Sequence, residues 1–414
     1  MRIKGKNRLD PGLDPDSVCS FTIMQLAHGI HLAYCTNVHR GGSWEETFAS
    51  LEKYVLRVRL AVAPDEPYAI GLRLGADAAR ELSAGNELAT FRRWLDEKNC
   101  YVFTINGFPY GNFHGTKVKE QVYRPDWTSP ERLAYTNLLF DILAELSERG
   151  AEASVSTLPG SFKEFIPSGE VPDAMLDNLA SCVEHVEQVA ARKDLDLHLG
   201  LEPEPLGFFE TSEETVAFFE QLQSRFGSND DWKRILGVNY DTCHLGVEFE
   251  EPDEAIGRLA AAGIRISKIH LSSALKAKPI PDNLKKLGSF LDDVYLHQVV
   301  VAEGGRVTRR HKDLDLALAH AEIHPQEVGD EWRIHFHVPL HASPGEGLGD
   351  TRDHVEGTLD LLAANPSLCR HLEMETYTWE VLPQNLRSDD VVEQIIREYD
   401  WTLSELAARD LGSD

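Results

Sequence analysis

Four apolar stretches of this chain end in acidic or imidazole side chains: Glu202 and Glu204 in LHLGLEPEP, Asp241 and His244 in GVNYDTCH, His270 in SKIHLSS, and Glu375 in HLEMETYTW. Charged groups inside strands are costly unless something binds them. Side chains alternate faces along a strand, so Glu202 pairs with Glu204, Asn239 with Asp241, His270 with Ser272, His335 with His337, and Glu373 with Glu375. One lumen collects all of these faces. The segments between read as helices, and alternating strand and helix units predict a (β/α)8 TIM barrel with its active site at the C-terminal ends of the strands. A divalent metal held by Glu, Asp and His is the natural occupant.

The strand candidates run in order through IHLAYCTNVH (30–39), YAIGLRLG (68–75), CYVFTINGF (100–108), ASVSTLPGSF (153–162), LHLGLEPEP, ILGVNYDTCH and RISKIHLSS. Helices are expected over 44–62, where Ser43 and Glu46 have capping-box spacing, and over 76–98, 129–149, 172–193, from Ser212, and through EPDEAIGRLAAAG. Past the seventh strand, DDVYLHQVV and GRVTRR flank AEGG as a hairpin. A helix over 313–322, the strand WRIHFHVPL (332–340), a helix over 350–364 and the strand HLEMETYTW (371–379) follow. Nine candidates compete for eight places, and either HFHVP or LEMETYTW closes the barrel.

At 414 residues the chain is long for one barrel, but insertions enlarge that fold without dividing it. The reading is a disordered extension over 1–23 followed by one enlarged barrel domain over 24–414, with an insertion between strand seven and the closing strand. The opening MRIKGKNR and VCSFTIM imitate a signal peptide, but Asp10, Asp14, Asp16, His28 and His31 interrupt it. No stretch nears a membrane span in apolar length. A formal charge of −27, spread along the chain, repels phosphate backbones and excludes nucleic acid as a partner, leaving a small molecule. The six scattered cysteines fit reduced thiols in a cytoplasm. Oligomeric state is not legible.

Glu, Asp and His donors without thiolates favour Mn2+, Mg2+, Zn2+ or Co2+. The alternative for Glu202 and Asp241 is a buried salt-bridge network with Arg73 or Lys268. His244 is placed to touch substrate or orient a ligand, Cys243 to pack, and His335 and His337 to bind metal or substrate. The glycine- and aromatic-rich loop over 107–128 is a candidate lid over the site, with Asn106 before it as a substrate contact. Lys163 and Arg124 are candidates for a substrate phosphate.

The unit YDTCHLGVEFEEPDEAIGRLAAAGIRISKIHLSS, with GLEPE before it and LEMET after it, resembles the xylose isomerase-like barrel superfamily of sugar isomerases, ketose epimerases and endonuclease-IV-like hydrolases. LAYCTNVH, TINGFPYGNFHGTKVKEQVYRPDW, STLPGSFK, FHVPL and ETYTWEVLP resemble the EboE family, metabolite traffic proteins of the eustigmatophyte-bacterial operon. That resemblance implies a sugar-isomerase-type barrel linked to the processing or export of a secondary-metabolite precursor. By the pattern of the epimerase branch it implies Glu202, Asp241, His270 and Glu375 as metal ligands, with Glu202 and Glu375 also moving the substrate proton. The expected activity is metal-dependent isomerisation or epimerisation of a sugar or polyol. Two alternatives stand beside it: a phosphoester hydrolase with a second metal on His244, His297, His311, His335 or His337, and a metabolite-binding protein without turnover.

Overall fold

The computed structural model describes residues 26–111 and 119–412. The expected extension over 1–23, with Cys19, lies outside them. The first seven strands are β1 (His31–Tyr34), β2 (Tyr68–Arg73), β3 (Cys100–Asn106), β4 (Glu152–Thr157), β5 (Asp196–Leu201), β6 (Leu236–Asp241) and β7 (Ile266–Leu271). Six further strands follow: β8 (Ser273–Ala277), β9 (Val299–Glu303), β10 (Arg306–His311), β11 (Glu331–Val338), β12 (Leu348–Asp350) and β13 (His371–Met374). β1 to β7 and β13 form an eight-stranded parallel sheet in the order β1-β13-β7-β6-β5-β4-β3-β2. A parallel bridge from Cys35 to Gly71 brings the edge strands β1 and β2 together, completing a (β/α)8 barrel.

LEMET therefore supplies the eighth barrel strand, between β7 and β1. HFHVP lies instead in a second sheet, antiparallel and five-stranded, of order β10-β9-β11-β8-β12, built within the chain between β7 and β13. The expected hairpin around AEGG is β9 and β10 of this sheet. Period two explains β11: Ile334, Phe336 and Val338 enter a core with Val299, Val301 and Leu314, and the opposite face carries His335 and His337. A small apolar cluster of Cys243, Val247, Ala274 and Val300 ties the second sheet to the helix Thr242–Val247 at the top of the barrel.

Several boundaries differ from expectation. Extended structure in the first strand stops at Tyr34, where the chain turns through Thr36–Val38. The span 76–98 holds two helices, Ala76–Leu82 and Glu87–Glu97, because Gly85 takes a positive φ between them. β8 and the C-terminal helix Val391–Ala407 had no counterpart in the sequence reading. Ser43 and Glu46 do form the capping box. No helix among the described residues is long and apolar enough to cross a membrane. The five described cysteines are buried and free.

Gly71 sits where the barrel interior is tightest. A Cβ there would stand 2.0 Å from Glu373 Oε1 and 2.7 Å from the Tyr34 carbonyl oxygen, and the backbone of β1 cannot step aside. Gly71→Ala is expected to lower stability by about 1–3 kcal/mol, the usual effect of overpacking a filled interior. A urea unfolding midpoint equal to that of the unaltered protein would refute this.

Candidate metal centre

Asp241 ends β6 and caps the helix that follows. Its Oδ1 accepts hydrogen bonds from the Cys243 amide at 2.7 Å, the His244 amide at 3.1 Å and the Ser272 hydroxyl at 2.6 Å. That oxygen is fully occupied. Oδ2 is buried and accepts no hydrogen bond of good geometry among the described residues. Burial pushes the carboxyl pKa up, but His244 and His270 beside it hold it well below the usual range. Asp241 is therefore an anion with one oxygen committed to the fold and one presented to the lumen.

His270, on β7, organises the centre. One ring nitrogen, Nε2, lies 2.8 Å from Glu373 Oε2, and Lys268 Nζ reaches the same oxygen at 2.6 Å while donating to Ser156 Oγ at 2.9 Å. The other, Nδ1, faces three carboxylates: Glu202 Oε1 at 3.0 Å, Glu375 Oε2 at 3.2 Å and Asp241 Oδ2 at 3.4 Å. Burial works to neutralise the imidazole, yet Glu375 and Glu202 hold its pKa well above the ordinary value. Glu375 is oriented by its other oxygen, which accepts from Asn37 Nδ2 at 2.7 Å and Asn106 Nδ2 at 3.3 Å.

One ligand atom from each of Glu202, Asp241, His270 and Glu375 lies within 4.8 Å of every other. Three carboxylate oxygens and one imidazole nitrogen match a hard or borderline divalent cation such as Mn2+, Mg2+, Co2+ or Zn2+. Asp241 Oδ2 supplies the observation that the set fits: this buried anionic oxygen accepts no hydrogen bond of good geometry among the described residues, its imidazole neighbours standing 3.4 Å and 3.8 Å away. Glu373 behind Nε2 is the carboxylate that a ligating histidine commonly requires to fix its tautomer. Its own pKa falls to about 2, because Lys268 and His270 outweigh the effect of burial.

The centre opens into a small cavity at the C-terminal end of the barrel. Its polar wall carries Glu202, Glu204, Glu375, His244, His335 and Gln298. Phe108, Pro109, Val122 and Tyr123, all from the loop over 107–128, give it an apolar side, with Tyr295 and Tyr377 opposite. The described parts of that loop thus stand at the cavity, while Lys117 lies outside the described residues. Lys119 ties the loop to the insertion, donating to the Tyr295 carbonyl at 2.7 Å and to Asp313 Oδ2 at 2.6 Å.

The expected substrate contacts fare differently. His244 lines the cavity, with Nδ1 3.1 Å from the Pro203 carbonyl oxygen, and His335 lines it beside Gln298, whose Oε1 is 2.8 Å from Nδ1. His337 stands behind them, its Nε2 3.3 Å from His335 Nε2 and its Nδ1 2.8 Å from the Glu375 carbonyl. Asn106 is spent on Glu375, Cys35 and the Phe108 amide. Lys163 is away from the cavity, its ammonium held by Glu210 and Glu214, and Arg124 lies over the Phe165 ring. His297 pairs with Asp292 and His311 packs near His320, so neither joins the histidines of the centre. Arg73 donates to backbone carbonyls of Gly41 and Pro109 and binds neither Glu202 nor Asp241 through a described contact.

Three contributors had no assigned role in the sequence reading. Glu373 shares parity with Glu375, which was the available signal. Asn37 lies in a turn, and Gln298 just ahead of β9, where no periodicity marks them. Glu204, noted only as the companion of Glu202, is buried in the cavity wall, and burial together with Glu202 raises its pKa well above the carboxylate range.

No protein-family model matches the chain, and no curated protein matches it. Among solved structures, it is similar to a D-allulose 3-epimerase from Methylomonas sp. with additional C-terminal residues, at 12% identity and TM-score 0.49, covering 91% of this chain and 98% of that one. It is similar to an L-ribulose 3-epimerase at 14% identity and TM-score 0.48, covering 91% and 95%. A xylose isomerase-like TIM barrel protein from Mycobacterium smegmatis in complex with magnesium gives 13% identity and TM-score 0.45, covering 86% and 87%.

Asparagine caps a helix as well as aspartate does, so Asp241→Asn removes the ligand charge and spares the cap. Asp241→Asn and His270→Ala are each expected to weaken divalent-metal binding at least tenfold, with far-ultraviolet circular dichroism unchanged. Full metal occupancy in both variants by elemental analysis would remove the centre.

Proposed function

We propose that the protein is a divalent-metal-dependent epimerase or isomerase of a small sugar-like or polyol-like metabolite, working in the cytoplasm. The observation that carries this reading is the meeting of two glutamates, Glu202 and Glu375, at one histidine nitrogen on the wall of a small cavity. A divalent ion bound there would polarise a substrate oxygen and stabilise the negative charge that develops when a neighbouring carbon loses its proton.

The chain supplies the rest. One of Glu202 and Glu375 takes the proton from the carbon next to the carbonyl, and the other returns it on the opposite face, as epimerisation requires. Asn37 and Asn106 fix Glu375 through Oε1 and leave Oε2 directed at the reacting centre. Glu204, on the cavity wall, is placed to hydrogen-bond a substrate hydroxyl. The aromatic side of the cavity excludes water and suits the C–H faces of a sugar ring. Lys119 is the one lysine or arginine among the described lining residues and is tied to Asp313, so the cavity favours a neutral polyhydroxy compound over a phosphate monoester. The resemblance of its motifs to the EboE proteins supports reading that compound as a precursor of a secondary metabolite that is processed or exported.

Incubation of metal-loaded protein with a panel of ketoses in deuterated water should introduce label at the carbon adjoining the carbonyl. Glu375→Gln should reduce that exchange at least about a hundredfold, the usual scale for loss of a positioned base, with a smaller loss of metal affinity. Tight retention of a ligand without label entering it would replace the enzyme with a carrier.

A second reading has its own observation. Asp241, His244 and His337 also present ligand atoms within 4.8 Å of one another, so Asp241 belongs to two candidate sets. A pair of cations sharing one carboxylate is the arrangement of two-metal phosphoester hydrolysis. His337→Ala would then release one ion that His270→Ala retains, and abolish hydrolysis of a p-nitrophenyl phosphodiester. Identical metal content in His337→Ala and the unaltered protein would eliminate the hydrolase.

A further inference from the structure

A second group of ligand-type side chains lies at the opposite pole of the barrel. Glu152 is the first residue of β4, His371 the first of β13, and His198 the third of β5, so all three stand at the N-terminal ends of their strands. One ligand atom from each lies within 4.8 Å of the other two. His198 and His371 are fully buried, and their rings stack with centroids 5.1 Å apart.

The hydrogen bonds around His371 fix which of its nitrogens is available. His371 Nδ1 is 2.8 Å from Ser154 Oγ, and Ser154 gives its own proton to Thr104 Oγ1 at 2.8 Å. Ser154 therefore accepts from Nδ1–H, and Nε2 of His371 carries a bare lone pair. His198 Nδ1 lies against Ser267 Oγ, a hydroxyl that donates or accepts according to the ring's tautomer. Both Nε2 atoms are buried and make no hydrogen bond of good geometry among the described residues, although His198 Nε2 is 3.2 Å from Glu152 Oε1. The unpaired Nε2 of His371, buried beside a second imidazole and a carboxylate in one layer of the barrel, calls for a ligand.

We propose that Glu152, His198 and His371 form a metal site for a zinc-type divalent cation, separate from the lumen centre. Two imidazole nitrogens and one carboxylate oxygen make a common three-residue zinc set with a fourth position left for water. Imidazole-rich donors select zinc and its neighbours over magnesium. The surrounding groups fit the role. Ser154 and Ser267 orient the rings, while Arg265 at 2.5 Å and Arg370 at 3.4 Å hold the two oxygens of Glu152 as an anion. His31, 6.0 Å from His371 between ring centroids, is turned away to Tyr101. Glu152 is partly exposed and gives the route of entry. The ion joins β13 to β4 and β5 across the lumen, which stabilises the folded state by linkage.

The test uses full-length protein crystals soaked in zinc and measured at the zinc absorption edge. The expected result is an anomalous peak about 2.0–2.1 Å from both His198 Nε2 and His371 Nε2. Absence of that peak, with or without a peak at the lumen centre, overturns the proposal. In solution, zinc should raise the thermal midpoint of Asp241→Asn protein, whose lumen centre is impaired. That shift should disappear when His371→Asn is added or, should that variant not fold, when Glu152→Gln is added. An undiminished shift in the folded double variant also overturns it.

Discussion

The two-sided engagement of His270 is the interaction on which the interior depends. Its Nε2 meets Glu373 and, through that carboxylate, Lys268; its Nδ1 meets Glu202, Asp241 and Glu375. Four carboxylates are thereby gathered around one imidazole and one ammonium, all buried. Bringing such charges out of water is costly unless each has a close partner of opposite sign. Lys268 and His270 meet that condition on one side only, and the excess of negative charge faces the cavity. The barrel thus creates a local demand for a cation, and Asp241 sharpens it by committing one oxygen to the helix cap and leaving the other bare.

The insertion serves the same interior. It carries its own apolar layer, so the second sheet does not draw on the barrel core for its packing. It nonetheless lends His335 and Gln298 to the cavity, with His337 behind them, and the Cys243 cluster ties the second sheet to the barrel there. Lys119 then joins the loop over 107–128 to the insertion, so two long excursions of the chain brace each other above the site.

Much of this was legible in the sequence because strand parity is rigid. The doublets Asn239 and Asp241, and Glu373 and Glu375, could share a lumen only if their strands belonged to one closed parallel sheet, and the spacing of helices between them allowed little else. The identity of the eighth strand was not legible, since HFHVP and LEMET alternate equally well and differ only in their distant partners: β8 and β9 for one, β7 and β1 for the other. β8 was missed because it follows β7 after a single residue and reads as its continuation. Asn37 lies in a turn without periodicity. Lys163 looked free because nothing local announces Glu210 and Glu214 as its partners.

Closure by β13 has a consequence for biosynthesis. About a hundred residues separate β7 from β13, and β1 has no parallel neighbour on that side until β13 emerges. At about 5–20 residues per second, the ribosome needs about 5–20 s to deliver it. During that interval three of the four lumen ligands exist without Glu375. A nascent chain in this state is an open sheet with an exposed edge, and the candidate metal centre gains its fourth side chain only when the insertion has already been made.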